Sequence, residues 1–208
     1  MRCIILTPLY DGADLDWITP KEDDFLICAD GGLAAARRCD LHPALLVGDF
    51  DSMPQGMSAE IPTIRLPVEK DDTDLVVCIR EGRKRGYREF ILAGSIGGRF
   101  DHTLASLQCA ADCALRGEQA WLVNQQNRLT VLAPGTYTLP SMGRRKLSLL
   151  AYSPEVKGVK LKGAKWELTD YTLSYRYPLG CSNEFAADEV TLSFNEGLLM
   201  VSYCKDLC

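Results

Sequence analysis

The chain has 208 residues, of which 47% are hydrophobic, as is typical of folded globular proteins, and this length suffices for one large domain or two small ones. The formal net charge of -5 argues against nucleic acid as a partner, because the phosphate backbone attracts basic proteins. The nine cysteines lie mostly in apolar runs, no run is long enough to span a membrane, and no signal-peptide pattern is present, so we expect a cytoplasmic protein with reduced thiols and no membrane partner.

Apolar runs alternate with helical periodicity along the first half of the chain. They predict six strands, at residues 3–6, 25–29, 44–47, 63–66, 89–93 and 121–123. Helices are predicted over residues 33–39 and 73–85, and a third opens at Asp101-His102 with a buried stripe of Leu104, Leu107, Ala111 and Leu115. Strands that alternate with helices are typical of an α/β domain with a mostly parallel sheet.

The pattern changes at the polar stretch 124–127. Short strand-like segments follow, at residues 129–132, 136–139, 147–152, 156–161, 166–168, 190–194 and 198–201. Gly, Pro and Asn separate these segments and no helical pattern intervenes, which favours an all-β antiparallel sandwich or barrel. We therefore expect an α/β domain over residues 1–124 and an all-β domain over residues 125–208.

Two carboxylates follow the third predicted strand. Asp49 and Asp51 lie two residues apart in the segment 48–52, and an extended backbone would turn both the same way. They would then lie at the carboxyl end of a strand, where open α/β sheets bind ligands. Two like charges on one face repel unless a cation lies between them, and oxygen ligands suit Mg²⁺. The alternative is a turn in which both carboxylates cap local backbone groups.

The second predicted strand also ends in an acidic turn. Asp30 is followed by Gly31 and Gly32 and then by a helix, so the backbone can approach a ligand closely at this point. A plain strand-to-helix turn capped by Asp30 is equally compatible with the sequence.

Charges of both signs precede the second predicted helix, in the segment Lys70-Asp71-Asp72-Thr73-Asp74. Asp71, Asp72 or Thr73 can cap this helix, and acidic residues complement its dipole. Three acids beside one lysine exceed what capping requires, and a bound cation together with a phosphate would account for both signs.

A glycine-rich turn joins the fifth predicted strand to the third helix and contains Gly97, Gly98 and Arg99. Its amides could bind an anion at the helix N-terminus, and the guanidinium could pair with phosphate oxygens. The segment matches neither the Walker pattern nor the Rossmann glycine pattern. His102 is compatible with a general base or with a part of the helix cap, and the cap is the preferred interpretation.

Taken together, these segments resemble the signatures of the thiamine pyrophosphokinase (thiamine diphosphokinase) family, in the family's order and over nearly the whole chain. The N-terminal matches are segments 29–32, 48–52, 70–74 and 97–102, and Ser182-Asn183-Glu184 resembles the thiamine-side motif. The resemblance implies an α/β nucleotide domain, a β-sandwich, and a homodimer with active sites at the subunit interface. It also implies transfer of pyrophosphate from ATP to the hydroxyl of thiamine, with Mg²⁺ required, to give thiamine diphosphate and AMP.

The resemblance assigns catalytic and nucleotide-binding roles residue by residue. Asp49, Asp51 and Asp74 would hold magnesium, and Arg99 and Asp101 would complete the catalytic set. The residues that the resemblance implies for ATP binding are Asp30, Lys70, Thr73, Ser95, Gly97, Gly98, Arg99 and His102. The proton of the thiamine hydroxyl could pass to Asp101, to Asp74 or to solvent.

The resemblance also indicates how thiamine would bind. Ser182 and Asn183 would contact it from the second domain. Some family members stack thiamine on a tryptophan near the C-terminus, and Met200 stands at the equivalent position here. A thioether can pack on an aromatic ring, but with a different geometry.

Two other functions are compatible with the same residues. A pyrophosphokinase for another ring alcohol, such as a hydroxymethyl pterin, would share the chemistry and differ in the C-terminal pocket. A non-catalytic thiamine or nucleotide sensor would bind its ligand without producing AMP, although it would not need three metal-binding carboxylates.

Overall fold

The computed structural model describes residues 1–50, 61–67 and 71–206. The chain forms two compact units, one of Met1–Cys109 with Glu118–Gln125 and one of Ala110–Gly117 with Gln126–Cys208. In the described part of the chain, no helix combines the length and the apolar character that crossing a membrane requires.

The first unit contains a parallel sheet flanked by helices. Its described strands are β1 (Cys3–Leu6), β2 (Phe25–Ala29), β3 (Leu45–Gly48), β4 (Thr63–Arg65), β5 (Glu89–Ala93) and β6 (Gln119–Val123). Their order across the sheet is β6-β5-β1-β2-β3-β4, and neighbouring strands are parallel throughout. The helices are α1 (Leu15–Ile18), α2 (Gly32–Arg38), α3 (Asp74–Lys84) and α4 (Phe100–Leu115), of which α4 begins in this unit.

Burial on both faces explains the uninterrupted apolar sequences of the central strands. All residues of β1 and β3 are buried, as in parallel sheets covered by helices on both sides. Gly82 allows α3 to approach this sheet closely, because an added Cβ would lie 2.7 Å from the Phe90 ring and 2.8 Å from Cys3 Sγ. The predicted α/β half is therefore confirmed.

Because neighbouring strands are parallel, their carboxyl ends lie at the same edge of the sheet. The chain proceeds from β1 to β2 on one side, whereas β5 pairs with β1 on the other side. This reversal is the topological switch point, and α/β sheets bind ligands outside the carboxyl ends at such a point.

The second unit consists mainly of antiparallel strands arranged in two groups. Its described strands are β7 (Asn127–Leu132), β8 (Gly135–Pro140), β9 (Lys146–Ala151), β10 (Glu155–Lys162), β11 (Leu168–Ser174), β12 (Gly180–Asn183), β13 (Glu189–Phe194) and β14 (Leu199–Cys204). One group has the order β12-β9-β14-β7 and the other β11-β10-β13-β8. Alternate residues of β10 and β13 are buried, as expected for strands with one face in a core. The predicted β-sandwich half is confirmed.

Three details of the elements differ from the predictions. Trp166 precedes β11 rather than lying in a strand, and β12 has no counterpart among the predicted segments. The stripe predicted for α4 is wrong at two of its four positions, because Leu104 and Leu115 are 46% and 71% exposed, whereas Ala111 is buried as predicted. The other buried positions of α4 carry small side chains, namely Ser106, Ala110, Cys113 and Ala114.

Candidate functional site

The ends of β2 and β3 bring two acidic residues to neighbouring turns of the first unit. Asp30 follows β2, and its backbone N–H donates to the Val47 carbonyl oxygen at 2.7 Å. A Cβ on Gly48 would lie 2.9 Å from Asp30 Cα, so the two turns touch and only a glycine fits there. Asp49 follows Gly48 directly, which places the second carboxyl-bearing residue beside the Asp30 turn.

The backbone between the two predicted metal ligands is not extended. Phe50 has a φ of 56°, in the left-handed region, so the alternation expected for the segment from Asp49 to Asp51 does not hold at this residue. The Phe50 ring is buried, and the Arg65 guanidinium lies 5.9 Å from its centroid. Asp51 lies outside the described residues, and its shared site with Asp49 stays a prediction. Asp30 has a φ of 46°, and positive φ at non-glycine residues is concentrated at functional sites.

The N-terminus of α3 is capped by Thr73. Its Oγ1 accepts a hydrogen bond from the Val76 N–H at 3.4 Å. Asp72 instead accepts a hydrogen bond from the Arg80 guanidinium at 3.0 Å. Of the three residues able to cap this helix, the structure selects Thr73, and its predicted contact with ATP stays a prediction.

The start of α3 belongs to the same edge of the sheet as the strand ends. After β4 the Leu66 N–H donates to the Gly48 carbonyl oxygen at 2.9 Å, which fixes the chain beside the Asp49 turn. Asp74, the first residue of α3, is half-buried a few residues later. Lys70, the predicted phosphate ligand between these points, lies outside the described residues.

In the turn after β5, some of the groups predicted to bind phosphate form hydrogen bonds within the protein. Ser95 is buried, and its hydroxyl donates to the Leu92 carbonyl oxygen at 2.8 Å. The Gly97 N–H donates to Thr103 Oγ1 at 3.1 Å, so an anion at this amide would exchange with that hydroxyl. Gly97 and Gly98 have φ values of 111° and 60°, which favour glycine.

Arg99 and Asp101 form an exposed ion pair at the start of α4. The guanidinium donates to both carboxylate oxygens, at 3.1 Å from Nε and 2.6 Å from Nη2. Asp101 Oδ1 also accepts a hydrogen bond from the His102 backbone N–H at 2.9 Å, while the His102 side chain is exposed. The hydrogen bond from Arg99 holds the pKa of Asp101 below its usual range, which makes the paired carboxylate a weak proton acceptor.

Carboxylates are the donor groups that this edge offers to a metal. Asp30, Asp49 and Asp74 carry hard oxygen donors, which suit Mg²⁺ better than softer metals. Within residues 1–50, 61–67 and 71–206, no three His, Cys, Asp or Glu side chains are grouped closely enough to hold a metal ion. The predicted set of Asp49, Asp51 and Asp74 includes one residue outside those ranges, and magnesium binding stays a prediction.

The second unit contains a cavity of about 420 Å³, within the range of roughly 300–1,000 Å³ typical of small-molecule sites. It contains both residues predicted to bind thiamine, together with hydrophobic and aromatic side chains. Its lining consists of Leu149, Trp166, Leu168, Leu179, Gly180, Cys181, Ser182 and Asn183. The structure thus brings Ser182 and Asn183 together at one concave surface.

An irregular strand shapes the wall that Ser182 contributes. The pairing of β12 with β9 changes register between Gly180 and Asn183, and Ser182 has a φ of 58°. The Ser182 N–H donates to the buried Ser148 Oγ at 2.9 Å, which stabilises this unusual backbone. A Cβ on Gly180 would collide with the Leu149 carbonyl oxygen, so the close approach of the strands requires glycine.

Asn183 lines the cavity, yet its polar atoms bond to the backbone. Its Oδ1 accepts hydrogen bonds from the Trp166 N–H at 3.1 Å and the Glu184 N–H at 2.8 Å. Its Nδ2 donates to the Trp166 carbonyl oxygen at 2.7 Å. With an exposed fraction of 8%, the side chain fixes the neighbouring segment of the cavity wall.

Six of the eight lining residues were not predicted as site residues, and Trp166 is the aromatic one among them. Met200, the expected stacking position, lies within β14, where it pairs with Val131 and Leu150, and outside this cavity lining; its contact with thiamine stays a prediction. Trp166 is 54% exposed, and the Lys165 ammonium lies 4.5 Å from its ring centroid. An aromatic residue within a short polar segment was the available signal, but its neighbours resembled the start of a strand.

Two family models match the chain, one in each half. Residues 19–122 match the model described as "Thiamin pyrophosphokinase, catalytic domain". Residues 136–199 match the model described as "Thiamin pyrophosphokinase, vitamin B1 binding domain". The chain belongs to the thiamin pyrophosphokinase family.

Proteins of this family are similar to the chain over nearly its full length. The thiamine pyrophosphokinase of Bacillus subtilis (strain 168) is 26% identical over 191 residues, which cover 89% of each chain. The crystal structure of a Bacillus subtilis thiamine pyrophosphokinase has a TM-score of 0.90 at 24% identity, with both chains covered completely. That of Geobacillus thermodenitrificans thiamin pyrophosphokinase has a TM-score of 0.88 at 29% identity, covering 99% of this chain and 98% of the other. The fold is therefore that of the thiamin pyrophosphokinases.

The family models separate the candidate residues into the same two sets as the structure does. The strand-end candidates, from Asp30 to His102, lie within the region matched by the catalytic model. Every residue that lines the cavity lies within the region matched by the vitamin B1 binding model.

Proposed function

We propose that this protein transfers the pyrophosphoryl group of ATP to the hydroxyl of thiamine, giving thiamine diphosphate and AMP. The match of the two halves to the catalytic and vitamin B1 binding models of one family carries this proposal. The cavity that contains Ser182 and Asn183, within the vitamin-binding region, supports thiamine as the acceptor.

The nucleotide would bind at the carboxyl edge of the parallel sheet. In this proposal Asp49, Asp51 and Asp74 hold Mg²⁺, and Asp30 lines the same cleft. The oxygen-only character of these side chains supports the assignment. A bound magnesium ion would neutralise phosphate charge, while phosphoryl-type transfer otherwise depends on positioning and electrostatic stabilisation.

The glycine-rich turn and the two helix starts would contact the triphosphate. Arg99 is exposed and presents a planar fork of donors, so a phosphate can replace Asp101 as its partner. Lys70, Thr73, Ser95, His102 and the amides of Gly97 and Gly98 would complete the ATP site. Once a phosphate takes Arg99, the hydrogen bond that lowers the pKa of Asp101 is lost, so Asp101, Asp74 and solvent are the candidate proton acceptors.

We also propose that the protein is a cytoplasmic homodimer with active sites at the subunit interface. Phe100 and Leu104 support this part, because they lie one turn apart on α4 and are 73% and 46% exposed. Sedimentation equilibrium should give the mass of a dimer. A monomer at every protein concentration would contradict this assignment.

The decisive experiment is the formation of AMP from ATP, magnesium and a candidate alcohol. With thiamine we expect AMP and thiamine diphosphate in equal amounts. Product with a hydroxymethyl pterin alone would indicate the related pyrophosphokinase, and thiamine binding without AMP would indicate a sensor.

A variant pair then tests the acidic edge. Asp49→Asn should lower turnover at least about tenfold, a barrier increase of about 1.4 kcal/mol, while the protein remains folded. Asp40→Asn is the matched control, because Asp40 follows α2, away from the carboxyl ends, and its side chain is 98% exposed. Equal activity of both folded variants would remove Asp49 from the site.

A further inference from the structure

A short antiparallel pairing holds the segment that carries Trp166 against the strand that carries Asn183. Ala164 and Phe185 form an isolated bridge. The Lys165 N–H donates to the Glu184 carbonyl oxygen at 2.8 Å, and the Ala186 N–H donates to the Gly163 carbonyl oxygen at 2.9 Å. These backbone hydrogen bonds end beside Trp166, which lines the cavity.

The Asn183 carboxamide adds a further pair of hydrogen bonds to this antiparallel pairing. A carboxamide offers one acceptor and one donor group, as a peptide unit does. Both are used on Trp166, whose N–H donates to Oδ1 at 3.1 Å and whose carbonyl oxygen accepts from Nδ2 at 2.7 Å. The backbone of Trp166 is therefore fixed, although its side chain is 54% exposed.

An ion network faces the Trp166 ring. The Lys165 ammonium lies 4.5 Å from the ring centroid, within the range of a cation–π contact. Glu184 accepts hydrogen bonds from Lys165 at 3.2 Å and from Lys146 at 2.6 Å. The hydrogen bonds from Lys146 and then Lys165 hold the pKa of Glu184 below its usual range, so the carboxylate is ionised near neutral pH.

We propose that Lys165 and Glu184 are positioning residues that hold the Trp166 ring as a preformed aromatic wall for the rings of thiamine, an assignment that rests on the proposed function. The exposed Trp166 side chain would otherwise populate several rotamers, and selecting one of them on binding would weaken affinity. Lys165 contacts one side of the ring and Glu184 fixes Lys165, so the ring is oriented before the ligand arrives. Exposed ion pairs usually contribute little to stability or binding. If Lys165 and Glu184 formed only such a pair, their replacement would leave thiamine binding unchanged.

The test compares this network with an exposed ion pair elsewhere in the same unit. Lys165→Met retains the aliphatic stem and removes the cation, and Glu184→Gln removes the negative charge. Lys157→Met and Glu196→Gln are the matched controls, because Lys157 and Glu196 form an exposed pair at 3.1 Å and do not line the cavity. Lys165→Arg is the conservative variant, since a guanidinium can both face the ring and bind the carboxylate.

We expect Lys165→Met and Glu184→Gln to raise the KM for thiamine about three- to tenfold, with kcat and the KM for ATP within about twofold of the wild type. Trp166→Ala should raise the KM for thiamine by at least as much, whereas Lys165→Arg and both control variants should remain near the wild type. Quenching of tryptophan emission by thiamine should disappear in Trp166→Phe. The split between the two KM values separates positioning from a general loss of structure.

Two results would overturn this assignment while the proposed function stands. The first is an unchanged KM for thiamine in both Lys165→Met and Glu184→Gln, and the second is an unchanged KM in Trp166→Ala. If the wild type makes no AMP, the proposed activity fails and thiamine binding is followed by tryptophan quenching in the same variants. Quenching that is weakened in Lys165→Met would then support the network, and a wild type that thiamine does not quench would overturn it.

Discussion

At the scale of single residues, Arg99 and Asp101 form an exposed ion pair that contributes little to stability. Their side chains are 74% and 63% exposed, and exposed ion pairs contribute only about 0–1 kcal/mol to folding. A polyphosphate offers the same guanidinium several oxygen acceptors and a higher charge. In the proposed ATP site, the pair would orient Arg99 before nucleotide binds and would release it at low cost.

Replacing Arg99 should separate activity from stability. Arg99→Ala should lower turnover at least about tenfold, because a charge that stabilises the transferring group is lost, while thermal stability stays nearly unchanged. Arg116→Ala is the matched control, since Arg116 forms a comparable exposed pair with Asp112 and follows α4. Steady-state rates and thermal unfolding of both variants check this expectation, and a large stability loss with full activity would make Arg99 structural.

Individual candidates could be predicted from the sequence only where the residue type determines the role. Acidic residues after apolar runs identified the Asp30 and Asp49 turns, because strand ends and charge are both visible in the sequence. The left-handed backbone of Phe50 was not visible, since this conformation depends on contacts made after folding. Trp166 was missed for a related reason, because the carboxamide that fixes it comes from Asn183, distant in sequence.

At the scale of elements, the strands and helices that could be predicted from the sequence were those whose buried residues are large and apolar. The buried strands of the parallel sheet appear as uninterrupted apolar runs, and β1, β2 and β5 begin and end as predicted. The stripe on α4 was misjudged because the helix buries small residues and leaves Leu104 and Leu115 exposed. β12 escaped prediction because Gly180, Cys181, Ser182 and Asn183 have little strand propensity and are held by pairing with β9.

The dependence of β12 on glycine gives a prediction for this element. Gly180→Ala places a methyl group against the Leu149 carbonyl oxygen, and the rigid backbone of β9 cannot yield as a side chain would. We expect a loss of about 1–3 kcal/mol in the free energy of unfolding and weaker thiamine binding, because the strand must move away from the cavity wall.

A second glycine provides the control for that experiment. At Gly135 the three atoms nearest to an added Cβ belong to the Tyr137 side chain, the first at 3.2 Å, and a side chain can yield, so Gly135→Ala should change stability less. Urea titration and thiamine binding measured on both variants give the comparison. If Gly180→Ala unfolds and binds as the wild type does, the close approach of β12 to β9 has no energetic importance.

At the scale of the whole molecule, each unit buries groups that must stay neutral. In the first unit burial raises the pKa of Cys3 and of Cys28 to about 12, from an ordinary value of 9.0. In the second unit burial raises the pKa of Tyr203 to about 12, from 10.0. A group whose pKa is higher in the folded state than in the unfolded state contributes its full stabilisation at pH values below its unfolded pKa. That stabilisation of the folded state is lost as the pH rises through the folded pKa.

The whole chain should therefore lose stability on the alkaline side, with the thiols contributing above about pH 9 and Tyr203 between about pH 10 and 12. Each such group lowers the free energy of unfolding by up to about 1.4 kcal/mol per pH unit in its window.

Tyr203→Phe retains the ring that stacks on Phe185 at 6.0 Å and removes the ionisable hydroxyl. Urea titrations across this range should show a shallower decline for Tyr203→Phe than for the wild type. Tyr177→Phe, at an exposed position, should follow the wild type, and parallel declines for all three proteins would exclude Tyr203 as a source of the alkaline instability.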